Sequence, residues 1–169
     1  SAFLATTNWF SFAPFGGDCR ILHCLLRWRL TAAMLPRLLK RSPFSLPGEF
    51  PSVEPGTYTL LVALTEPTVI EFGAAGSRDL RAGWYAYTGS AFGPGGLKRV
   101  DRHRRVADGR NETRQWHIDY LLGAEAASIE RTWTATHCEG ECAIATSIAG
   151  EPIDGLGATD CDCRSHLRY

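Results

Sequence analysis

The stretch that most constrains this chain is Gly89 to Gly96, which holds four glycines and Pro94 between two segments of opposite character. Before it lies Trp84-Tyr85-Ala86-Tyr87-Thr88, an aromatic and β-branched run with the composition of a strand. Strand alternation puts Tyr85 and Tyr87 on one face, and Trp84, Ala86 and Thr88 on the other. After it, helix-forming sequence begins at Leu97 and packs Lys98, Arg99, Arg102, His103, Arg104 and Arg105 into two turns. A strand therefore hands a tyrosine to a flexible loop, and a helix brings cations beside it. That combination suits the holding of a phosphodiester.

The rest of the chain reads as an α+β fold. Gly56 to Leu64 alternates as a strand, with Tyr58, Leu60, Val62 and Leu64 on one face. Two short strands, Thr68 to Phe72 and Arg78 to Arg81, precede the one that ends at Gly89, so the sheet reads as an antiparallel meander. The two inserted strands either leave Tyr58 and Tyr87 on neighbouring strands or separate them. Helices are expected at Leu97 to Asp108, closed by Gly109, at Gln115 to Leu122, closed by Gly123, and at Gly140 to Ala149. A further strand is expected over Ser128 to Thr136, and a glycine-rich loop leads to an extended end. The expected architecture is a small antiparallel or mixed sheet flanked by about three helices.

At 169 residues and 44% hydrophobic, the chain has material for one ordinary core. Residues 1 to 52 read differently from the domain expected over 53 to 169. They carry no strand alternation; Leu22 to Leu39 is basic and leucine-rich, and Pro43, Pro47, Gly48 and Pro51 make a linker. A basic presequence, an appended helix, or a start at Met34, the one methionine, all fit this extension; the third is preferred, with the extension poorly ordered. No apolar run reaches the roughly 18 residues of a membrane span, and no secretory signal shape opens the chain, which points to a cytoplasmic protein without membrane contact.

Formal net charge is zero, but residues 97 to 114 hold seven Lys/Arg (98, 99, 102, 104, 105, 110, 114) against three acids (101, 108, 112). A nucleic-acid contact is therefore expected locally, at Lys98, Arg102, His103, Arg104 and Arg105, with a solvated helix face as the plainer account. Of six cysteines, Cys142, Cys161 and Cys163 combine with His166 into a possible tetrahedral zinc set, although Cys-x-Cys replaces the usual Cys-x-x-Cys. Buried reduced thiols fit equally well. His117 and Asp119, two apart, diverge by roughly 200° on a helix and cannot pair with each other. The segment reads first as a helix that packs Trp116 and Tyr120 on the sheet, with His117 beside a working site as the alternative.

Tyr87-Thr88-Gly89, followed by Arg99 and His103, resembles the second half of the GIY-YIG nuclease signature, and Gly56-Thr57-Tyr58 resembles the first. Trp116-His117-Ile118-Asp119-Tyr120-Leu121-Leu122 and Asp160 to Leu167 are similar to segments of a GIY-YIG-like family of prokaryotic proteins, the DUF123 family. The resemblance spans roughly residues 55 to 169. It implies a divalent-metal-dependent phosphodiesterase, an endonuclease acting on nucleic acid and in the first place DNA. In that reading Arg99 is the catalytic arginine, and Tyr58 and Tyr87 supply a base and an orienting hydroxyl. Glu141, with Glu139 as rival, holds Mg²⁺ or Mn²⁺. A module that keeps the fold and binds nucleic acid without cleaving it is the alternative.

Overall fold

The structure, a computed structural model, describes residues 53–169. The expectations for residues 1 to 52, and Cys19 and Cys24 with them, lie outside the described residues. What is described is α+β. Strand β1 (Gly56–Leu64) is central and pairs antiparallel on one side with β4 (Gly83–Ser90) and on the other with β5 (Ala127–Thr136). A two-residue β6 (Leu167–Arg168) joins β4, which gives the order β5-β1-β4-β6.

The expected four-strand meander is corrected at its middle. Strands β2 (Thr68–Glu71) and β3 (Ser77–Leu80) pair only with each other, as a separate ribbon. They are short, and Val69, Glu71, Ser77 and Asp79 alternate outward into solvent between buried Ile70 and Leu80. Only one edge of residues packs, so this pair serves as a flap over the core. Its departure from the sheet leaves β1 and β4 as direct neighbours. Leu60 stands opposite Tyr87 and Tyr58 opposite Gly89, so both tyrosines share a face.

Both faces of the sheet are covered. Helices α1 (Lys98–Ala107) and α2 (His117–Leu122) lie on the face of Tyr58, Leu60, Val62, Tyr85 and Tyr87, and bury Val100, His103, Val106, Ile118, Leu121 and Leu122. Helix α3 (Glu141–Ser147) covers the other face, where Ile144 and Ile148 pack against Ala86 and Trp133. Burying a leucine- or isoleucine-sized side chain is worth about 1.5–3 kcal/mol, and these positions supply about half of the buried apolar side chains among the described residues.

Two turns fix where the helices start. Gly96 has φ +54°, and a Cβ there would lie 2.2 Å from the Val53 carbonyl oxygen. Only glycine passes that point, and α1 begins two residues later. Helix α2 is started by its own third residue. Asp119 Oδ2 accepts the backbone N–H groups of Gln115 at 2.9 Å and Trp116 at 3.0 Å, which satisfies donors that have no partner at a helix start.

Candidate active site

Tyr58 and Tyr87 come together because β1 and β4 are neighbours; their ring centroids are 6.4 Å apart. The Tyr58 ring crosses over Gly89, where a Cβ would sit 2.5 Å from the phenol. The glycine after Tyr87-Thr88 is thus demanded by the tyrosine on the adjacent strand. Tyr58 is 2% exposed and its hydroxyl lies 2.8 Å from His103 Nε2. His103 Nδ1 in turn lies 2.8 Å from Asp119 Oδ1, with His103 and Asp119 both 0% exposed.

The protons of this chain can be assigned from its chemistry. Burial alone would raise the Asp119 carboxyl, but hydrogen bonds from His103, the Gln115 and Trp116 amides, and Arg102 outweigh it and hold the group at about 2. An ionised carboxylate can only accept, so His103 Nδ1 donates to it. Burial, ahead of the opposing Asp119, lowers His103 below its ordinary value and keeps the ring neutral. Nε2 is then an acceptor, and the Tyr58 hydroxyl donates to it. Burial also pushes Tyr58 and Tyr87 well above the ordinary phenol value, so both are neutral hydroxyls at physiological pH. The oxygen of Tyr58 is left to accept from whatever enters beside it.

What lies beside it is a cleft of about 300 Å³, lined by Tyr58, Tyr87, Arg99, Trp116, His117 and Glu141, with Ser90 and the 157 to 160 loop at its rim. The Arg99 guanidinium is fixed there: Nη1 donates to the Ser90 carbonyl at 2.6 Å, and the group stacks 4.5 Å from the Trp116 ring centroid. His117 Nδ1 accepts from the Gly157 amide at 2.9 Å, and burial followed by Arg78 keeps its pKa down. His117 therefore ties helix α2 to the loop that forms the opposite wall.

All four residues proposed from the sequence as catalytic, Tyr58, Tyr87, Arg99 and Glu141, line this one cleft. Glu139 is exposed and does not. Two of the five basic-helix positions are corrected. His103 is fully buried and bonded to Tyr58 and Asp119, so it cannot touch a phosphate. Arg102 is spent on Asp119 Oδ2 at 2.6 Å and on the Thr113 carbonyl at 3.0 Å, under Trp116. Lys98, Arg104 and Arg105 are exposed. The period of the helix explains the division, because Val100, His103 and Val106 form its buried stripe.

Asp119 and Trp116 escaped the sequence reading as working residues. Asp119 stood out only as a partner that His117 cannot reach; its real partner is 16 residues upstream. A third-position acid after Trp116 signals a helix start, and nothing local signals the second oxygen's use.

A second cluster adjoins the cleft. The ligand atoms of Cys142, Cys161, Cys163 and His166 all lie within 4.8 Å of one another, so this group can hold a metal ion. The three thiols are free. Burial and the neighbouring thiols raise Cys142, and burial raises Cys163. His166, 1% exposed, places Nε2 3.5 Å from Cys161 Sγ and Nδ1 3.1 Å from Glu141 Oε1. No helix among the described residues is long and apolar enough to cross a membrane.

The family described as "Domain of unknown function DUF123" matches residues 57–169, more than half of the chain. No curated protein and no solved structure matches it.

Proposed function

The chain belongs to the DUF123 family, and from its cleft we propose that it hydrolyses phosphodiester bonds of nucleic acid, in the first place DNA. The carrying observation is the hydrogen-bonded chain Tyr58–His103–Asp119, which ends in a cleft beside a fixed guanidinium. Tyr58 donates its proton inward, so its oxygen faces the cleft as an acceptor for a water. As that water attacks phosphorus, its proton passes to Tyr58 while the Tyr58 proton passes to His103 Nε2; the P–O bond to the leaving nucleotide oxygen breaks, and that oxygen takes a proton from solvent. Asp119 then stabilises the imidazolium. Tyr87 offers a second neutral hydroxyl to orient the water or a phosphate oxygen. Arg99 is already in place for the charge that develops on the phosphorane, and needs no reorganisation. Lys98, Arg104 and Arg105 flank the cleft helix as exposed cations for the neighbouring backbone.

Two metals enter this reading. Glu141 gives Oε1 to His166, and among the described residues no hydrogen bond reaches Oε2. With the Asp160 carboxylate on the same cleft, it supplies oxygen donors of the kind Mg²⁺ or Mn²⁺ takes. Bound there, such an ion would neutralise charge on the phosphate. The thiol cluster suits Zn²⁺: with Zn–S about 2.3 Å, tetrahedral ligands lie roughly 3.8 Å apart, inside the observed spread of 4.8 Å.

The test is a cleavage assay of the full chain on nicked, branched and single-stranded DNA and RNA oligonucleotides, with and without added Mg²⁺. Metal-dependent cleavage lost in Tyr58→Phe supports the reading. Protein that binds these substrates and cleaves none of them under any metal hands the case to the binding module.

A further inference from the structure

The cysteine cluster and the cleft are joined through a single imidazole. His166 reaches the sulfurs with Nε2 and the cleft carboxylate with Nδ1. Two further links run alongside it. Cys142 follows Glu141 directly in α3, so a ligand and a cleft wall share one turn of helix. The loop before Cys161 forms the facing wall: the Gly157 amide is bonded to His117, and Gly157 sits so close to Tyr87 that a Cβ would lie 2.8 Å from its ring. The backbone of His166 is bonded to Thr88 and Leu156, beside the same tyrosine.

We infer that a zinc ion held by Cys142, Cys161, Cys163 and His166 sets the cleft: it fixes the position of Glu141 and of the 157 to 160 wall. Zinc on Nε2 leaves Nδ1 as a donor, and the acceptor 3.1 Å away is Glu141 Oε1. The carboxylate is then pinned on the rim by a buried ring that cannot rotate. Such an outer partner orients the ligand and strengthens it, so the effect runs both ways. Coupling between two sites is reciprocal in binding free energy: whatever zinc does for Glu141, Glu141 does for zinc. Without zinc, the sulfurs have, among the described residues, each other and His166 as partners, and the loop of residues 155 to 163 contains no strand or helix to hold its course. This inference takes the cleft as the working site, as proposed above, but its central consequence concerns zinc affinity alone.

The experiment measures zinc binding to the full chain by competition with a colorimetric chelator, for wild type, Glu141→Gln and Arg99→Ala. Glu141→Gln is expected to weaken zinc binding roughly 10- to 100-fold, the loss typical of an outer partner, and Arg99→Ala to leave it unchanged. Hydrogen exchange supplies the second readout. Stripping zinc from folded wild type should speed exchange in residues 155 to 166 while residues 58 to 64 and 98 to 107 stay protected, which also reports whether the chain remains folded. Glu141→Gln that binds zinc as tightly as wild type overturns the inference, and so does a chain that takes up no zinc. Zinc coupling without any cleavage would leave this inference standing and sink the phosphodiesterase reading. Cleavage that is unaffected by zinc removal would do the opposite.

Discussion

The two halves of the cleft are built differently. On the tyrosine side, the buried polar groups behind Tyr58 are chained to one another: Tyr58 has His103, His103 has Asp119, and Asp119 has Arg102 and two amides. That side rests on the central strands and on α1 and α2, and its His103 and Asp119 are closed to water. On the cysteine side, three half-buried thiols and one imidazole converge from a helix start and an irregular loop. The first side is finished by folding. The second converges on a point where an ion fits, and in the inference above its order would come with that ion.

The largest effect that tests this contrast is Asp119→Ala. It leaves Arg102 and His103 without their acceptor in the core and should destabilise the fold by about 3–5 kcal/mol, as for other broken buried pairs. Chemical denaturation measures it; a loss under about 1 kcal/mol would mean the tyrosine side does not depend on its own hydrogen bonds.

Arg99→Ala comes next. It removes a preorganised cation and should lower the cleavage rate on the order of 10²–10³, with little change in unfolding because Arg99 sits at the cleft surface. Steady-state kinetics beside a melting curve separate the two. A variant that cleaves normally would remove Arg99 from the chemistry.

Acid titration sharpens the comparison further. Asp119 is held at about 2 in the fold, below its ordinary 3.8. A depressed carboxylate contributes stability that is present above the ordinary value and lost as pH falls toward the folded one. Unfolding free energy should therefore drop between roughly pH 4 and pH 2, with about 2 kcal/mol assignable to Asp119. The same titration on Asp119→Asn should lack that share; an identical curve would assign the drop to other acids.

The smallest effect on stability is expected from Tyr87→Phe. Among the described residues the Tyr87 hydroxyl makes no hydrogen bond that the change would orphan, so unfolding should shift by less than about 1 kcal/mol. Cleavage should still fall. Full activity in this variant would leave Tyr58 as the one working phenol.

Much of this was legible along the chain because it is local. Alternation in Gly56–Leu64 and Gly83–Ser90, the glycines around α1, and the face shared by Tyr85 and Tyr87 depend on neighbours a few residues away, as strand and helix periods do. So does the gathering of Cys161, Cys163 and His166, which one short loop achieves. His103 was misread for a related reason. The spacing of cations on a helix is local, but which stripe turns inward is settled by what packs against it.

By itself, then, the sequence determined the elements, the shared orientation of Tyr85 and Tyr87, and the set of sulfur and nitrogen groups that gather into one cluster. Three things were decided only in the tertiary structure. The β2–β3 ribbon leaves the sheet, which brings Tyr58 beside Tyr87. His103 turns inward to meet Asp119 across 16 residues. His166 reaches back 25 residues to Glu141. Each is a contact between distant segments, and its formation depends on strand pairing and on how two buried faces fit, which no window of residues contains.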